Sequence, residues 1–163
     1  MGTFTTKQIG IMTANDLADK YELPAAEAFS PGHVLYITSA RKFAKHAAGG
    51  QHVAPVIVAK EDELRGNGVD DAYVADNQAM AWICKPGAIV NMRVQDGQNL
   101  AIGDYVESAG DGTIRVYAAD TFSGAEAVSV YPMNIIGIVM KACNMSSSST
   151  VDPSPPFAAV MVR

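Results

Sequence analysis

The spacing of its turn residues limits this chain more than any other feature. Lys85-Pro86-Gly87, Asp96-Gly97, Gly103-Asp104 and Gly110-Asp111-Gly112 interrupt the apolar runs every few residues. Such punctuation leaves room for short strands but not for helices of ordinary length. Eight runs between the turns read as strands: 34–38, 53–60, 79–84, 89–94, 105–108, 114–117, 135–140 and 157–163. They are rich in the β-branched and aromatic residues that fit a pleated, half-buried surface. Pro55 marks a strand start or an edge, because it has no N–H for a ladder. No helix-length amphipathic pattern alternates with these runs, which excludes a parallel α/β sheet and points to an all-β barrel or sandwich.

Residues 1–31 follow a different pattern. Thr13 resembles a helix N-cap with Asp16 three residues on, and Leu17 and Tyr21 share a face at a spacing of four. The spacing predicts a short helix over 14–22, stopped by Pro24, and Ser30-Pro31-Gly32 closes the segment. The chain therefore divides into an N-terminal arm, 1–31, and a β-barrel body, 32–163, with loop excursions at 61–76, 118–127 and 145–156. No long internal repeat is visible. A body of this size buries a core without metal or disulfide support.

Charge and composition narrow the function. The net charge is -5 and the Lys and Arg residues are scattered, so nucleic acid is not an expected partner. The densest basic group, Arg41, Lys42 and Lys45 with His46, reads as a solvated turn. The start has no signal-peptide pattern and no run is long enough to span a membrane, so synthesis in a cytoplasm and a soluble chain are expected. Cys84 and Cys143 both sit in apolar runs and read as buried free thiols.

No residue set reads as a catalytic or metal centre. His33, His46 and His52 have no second ligand at metal spacing. Asp70-Asp71 and Glu61-Asp62-Glu63 lack the alternation of a calcium loop and read as a solvated face. Ser39 and Ser146 to Ser149 lie in no nucleophile elbow, and Gly110-Asp111-Gly112 is a hairpin turn rather than a phosphate loop. The expectation is a protein that is not an enzyme and that takes no cofactor. The run from Val94 to Val106, with Asp96-Gly97, Leu100, Ile102 and Gly103-Asp104, resembles half of a biotinyl or lipoyl carrier domain, and Met140-Lys141-Ala142 resembles the carrier's modified lysine. That likeness breaks because Lys141 falls inside an apolar strand and no second half-motif follows.

Read with its neighbours, the same motif points elsewhere. Arg41-Lys42-Phe43-Ala44-Lys45-His46, the stretch from Ala59 to Tyr73, Gly97 to Arg115, Ile136-Gly137-Ile138-Val139 and the terminal Ala159 to Arg163 resemble the small head-decoration (cement) proteins of tailed bacteriophages. The likeness covers roughly 33–163. It implies a compact β-barrel or β-tulip body. It also implies a structural role on the outer surface of the virion's expanded capsid, with the major capsid protein as partner. Closed symmetry is the norm for oligomers and an icosahedral head offers three-fold and two-fold sites, so self-association is expected, with a trimer slightly favoured over a dimer. Several such proteins use an extended N-terminal anchor. The apolar residues of the arm, Phe4, Ile9, Ile11, Met12, Leu17, Tyr21 and Phe29, are too many for a free tail, so they are expected either to contact a capsid or neighbouring subunit or to pack on the chain's own barrel. A phage tail or baseplate β-protein would share the composition and is the alternative.

Overall fold

The computed structural model describes residue 9 and residues 17–118, 132–146 and 152–163. The described residues form an all-β structure of twelve strands: β1 (Ala18–Pro24), β2 (Val34–Ile37), β3 (Phe43–Lys45), β4 (Val56–Ala59), β5 (Gln78–Cys84), β6 (Ile89–Arg93), β7 (Asn99–Leu100), β8 (Tyr105–Ser108), β9 (Ile114–Val116), β10 (Gly137–Lys141), β11 (Cys143–Asn144) and β12 (Phe157–Val162). Helix among them is limited to two single 3-10 turns, Glu63–Arg65 and Pro132–Asn134. All eight expected strands are present. β1, β3, β7 and β11 are additional.

The strands build two five-stranded sheets, ordered β1-β5-β4-β2-β3 and β6-β12-β10-β8-β9, and β11 pairs with β7 separately. Neither sheet closes into the expected barrel. Each curls until its two edges touch at one parallel bridge, Ala25 with Phe43 in the first and Val94 with Ile114 in the second.

The two sheets are copies of one design. In chain order, β1, β2, β3, β4 and β5 correspond to β6, β8, β9, β10 and β12, and the neighbour order is the same. The registers match as well. Leu35–Lys45, Tyr36–Ala44 and Ile37–Phe43 correspond to Val106–Val116, Glu107–Arg115 and Ser108–Ile114. Ile57–Ile83 and Ala59–Ala81 correspond to Gly137–Val162 and Val139–Val160. The likeness extends into the loops. Gly32 N–H reaches Ala59 O at 2.8 Å, and Gly103 N–H reaches Val139 O at 2.9 Å. Both glycines have positive φ, +89° and +94°, a conformation that disfavours side chains. Glu27 accepts from Lys45 N–H, and Gln98 accepts from Val116 N–H. His33 Nδ1 lies 3.0 Å from Ser30 N, where Asp104 Oδ2 lies 2.8 Å from Ala101 N. The internal repeat that the sequence does not display is therefore present in the fold.

Side-chain alternation divides the core. Leu35, Phe43, Ile57, Ala59, Ala79 and Ala81 pack together with Ala25, Phe29 and Tyr73 on one face of the first sheet. Their counterparts Val106, Ile114, Val139, Ala158 and Val160 belong to a larger cluster that also takes Val34, Val56, Val58 and Cys84 from the opposite face of the first sheet. β4 is buried on both faces for this reason. Pro55 precedes it, a strand start rather than an edge.

The expected helix over 14–22 is corrected. Residues 18–24 are strand β1, laddered to β5 from Ala18–Cys84 to Pro24–Gln78. Tyr21 and Leu23 lie two residues apart on the face that meets Phe43 and its cluster. Lys20 and Glu22 pair across 3.2 Å on the other face, a spacing at which helical side chains do not meet. A seven-residue ladder outweighs a weak local helix preference.

Candidate assembly surface

The expected contact residues of the arm separate into three groups. Phe4, Ile11 and Met12 lie outside the described residues. Ile9 and Phe29 are 0% and 2% exposed, packed in the chain's own cores, and Leu17 packs partly buried beside Ile9's cluster. Tyr21, at 39% exposed, keeps a free surface. Ile9 also ties the two halves: its N–H donates to the buried Glu61 carboxylate at 3.2 Å, and its carbonyl accepts from Asn91 N–H at 2.7 Å. Nothing in sequence spacing marks this role.

The groups that could carry chemistry are engaged in structure. No cluster of His, Cys, Asp and Glu able to hold a metal occurs among the described residues. His46 Nδ1 lies 2.8 Å from Ser108 Oγ, but Ser108 is fully buried and its Oγ also receives Gly110 N–H, so no substrate reaches it. Glu61-Asp62-Glu63, expected as a solvated face, is partly inside: Glu61 and Asp62 are buried, and Lys60 lies over the Trp82 ring within reach of Glu61 and Glu63. Asp62 instead caps the 3-10 turn through Arg65 N–H. Cys84 and Cys143 are free and buried, and burial pushes their thiols up to about 12 and about 11. Lys141 ends β10 opposite Ala159, in a strand as its neighbours suggested. An open cleft of about 320 Å³ between the ends of β4–β5 and β10–β12 is mainly aliphatic, and its His52 faces Met133 O at 2.6 Å. Among the described residues, no helix is long and apolar enough to cross a membrane.

What the halves do have is an extensive junction. The β8–β9 turn of the second half plugs into the first: Gly112 O accepts from Val34 N–H at 2.7 Å, and Gly112 N–H reaches His46 O at 3.1 Å. Gly49 and Gly110 stand back to back, and a Cβ on Gly110 would meet Gly49 N at 2.7 Å, so this approach requires glycine. Gly50 N–H bonds Ser108 O, and Asn134 Nδ2 bonds Gly50 O. Beneath this crossing segment the buried Glu107 accepts from Arg115 at 2.8 Å. On the other side Arg93 donates its backbone N–H to Gly32 O and its guanidinium to Pro31 O and Val69 O, while Arg93 also stacks on Phe157. The junction ties the two sheets together, and beside it lies a polar cleft of about 250 Å³ lined by Gly50, Glu107, Arg115, Tyr117 and Asn134, in which Glu107 and Arg115 are paired with each other. Comparison with known proteins adds no family: no protein-family model matches this sequence, and no curated protein is significantly similar to it.

Proposed function

We propose that this chain is a non-enzymatic structural subunit that binds the outer surface of an expanded bacteriophage capsid and stabilises it. The reading rests on the resemblance of several sequence phrases to those of head-decoration proteins, above all Gly97 to Arg115. Its polar residues serve the fold: Asp104 holds its own turn, Glu107 pairs with Arg115, and Asp111 accepts from Thr113 N–H. A duplicated, mostly antiparallel β body with its chemistry engaged internally suits a load-bearing role. With Ile9 and Phe29 inside, the proposed capsid contact draws on Phe4, Ile11, Met12 and the exposed Tyr21. The contact is then a subset of the residues expected from 1–31, on either side of the buried Ile9.

The test is co-sedimentation of the full chain with undecorated expanded heads, with unexpanded heads and with purified tails. The reading expects saturable binding to expanded heads and slower loss of DNA on heating. Binding to tails and not to heads would establish the tail or baseplate alternative. Binding to none of them would overturn both.

A further inference from the structure

The two halves repeat one design, but their junction is used in one direction. The hairpin turn of the second half fills the end of the first half at Val34 and His46. A two-fold relation would require the converse, with the Thr38–Arg41 turn of the first half inserted between Tyr105 and Tyr117. Among the described residues no bond links these groups. Tyr117 N–H instead closes onto Tyr105 O at 2.8 Å, as His46 N–H does onto Val34 O at 2.9 Å, so the same socket is formed.

Exposure follows this direction. Val34 is 0% exposed, and its counterpart Tyr105 is 49% exposed. Pro31 and Gly32 are buried, whereas Ile102 and Gly103 are exposed, Ile102 at 71%. A Cβ on Gly32 would meet the Phe157 ring at 2.6 Å; one on Gly103 would meet nothing within 4 Å. The turns show the reverse. Gly112 is buried, and its counterpart Arg41, also at positive φ, is exposed. Glu107 and Ser108 are buried, whereas Tyr36 and Ile37 are 42% and 40% exposed. Among the described residues, nothing plugs this second socket, whose rim is apolar, and nothing receives the first half's turn of matching backbone.

We propose that a second copy of this chain docks its Thr38–Arg41 turn into the Tyr105–Tyr117 end of the first, repeating between molecules the junction found within one. The contact is head to tail, so copies of the chain form a closed ring if the rotation closes and a filament if it does not. Pro24 stands where Arg93 stands and has no N–H for Gly103, so the Arg93 tether is not reproduced and the contact rests on the hairpin plug. The inference rests on the internal duplication and not on the capsid reading, and its test contains no heads.

Within the chain, Val34 N and Gly112 O are 2.7 Å apart, which brings the two residues within disulfide reach. Arg41→Cys and Tyr105→Cys are single exposed replacements at the matching positions. Under mild oxidation, a mixture of the two variants should give a covalent heterodimer, and neither variant alone should cross-link. The double variant should give closed multimers or a ladder. Multi-angle light scattering of the wild type should show association that Tyr105→Asp abolishes while its unfolding midpoint stays unchanged. Cross-linking of each single variant with itself as readily as with the other would mean a two-fold contact and overturn the proposal. So would a double variant that consumes its thiols within one chain, or a wild type that remains monomeric at its highest soluble concentration.

Discussion

Acidification should weaken this protein through His33. The imidazole sits at the junction, against Gly112 and beside Arg93. Burial first, and then the Arg93 and Lys45 charges, lower it from 6.5 to about 4, while the hydrogen bond with Ser30 opposes this. At neutral pH the ring can accept Ser30 N–H at Nδ1; once protonated there, it must turn to Ser30 O instead. A base depressed on folding binds fewer protons in the native state than in the unfolded chain. Its contribution is therefore complete above the unfolded value and is lost as pH falls from about 6.5 to about 4. A difference of about two and a half units corresponds to ~3 kcal/mol, and water at the half-buried ring lowers this to about 2–3 kcal/mol. Urea unfolding at about pH 7 and about pH 4 reads this loss directly. His33→Asn keeps an acceptor for Ser30 N–H, as Asp104 does for Ala101, but does not titrate. The variant should lose about 2–3 kcal/mol less than the wild type over this interval. His46, also lowered by burial, contributes equally to both proteins. The Asp76 and Asp111 carboxyls are held below 3.8, so their losses come at lower pH. Equal losses in wild type and variant would refute the reasoning.

Ile9→Ala should cost about 2–5 kcal/mol in urea unfolding, as for a fully buried aliphatic side chain, and a cost under about 1 kcal/mol would mean that the N-terminal segment is not held in the core. Arg115→Met should cost more than Glu107→Gln, about 3 against about 1 kcal/mol, because it leaves a buried carboxylate unpaired; the reverse order would contradict the burial of Glu107. Thiol labelling should count two cysteines after denaturation and proceed very slowly in the native protein, and fast native labelling would contradict the burial of Cys84 and Cys143. Intact mass should equal that of the sequence, whereas added biotin or lipoate would place Lys141 on an accessible tip instead of in β10.

The strands that the sequence reveals are those with several consecutive β-branched or aromatic residues, such as β2 and β10. β3, β7 and β11 are two or three residues long and carry too little pattern to register. β1 was masked by Leu17 and Tyr21, whose spacing of four fits a helix until the ladder to β5 is known. The duplication was hidden by volume exchange. Between Glu27–Lys45 and Gln98–Val116, Gly32 and Gly103 are the sole identity. Inside the sheets, Phe43 and Ile57 stand beside Ala25, Ala59 and Ala81, where the second half has Ile114 and Gly137 beside Val94, Val139 and Val160. Large and small residues trade places while the space stays filled, so the fold persists after the sequence signal has gone. The junction was unreadable for a different reason: it depends on exposed turns and on glycines whose partners are distant in the chain.

Matching registers create a hazard during synthesis and refolding. A strand from one half finds hydrogen-bonding partners in the other half, or in another molecule, over the matched part of its ladder, and strand exchange is a characteristic failure of repeated domains. The divergence between the halves works against it. Gly137 lies where a Cβ would come within 2.2 Å of Met161 O and 2.8 Å of Val160 Cγ1. Its counterpart in β4 is Ile57, so β4 cannot take the place of β10 beside β12 without driving a branched side chain into the backbone. One glycine thus edits the pairing, rejecting a strand that the matched hydrogen bonds from Gly137 to Val139 would accept.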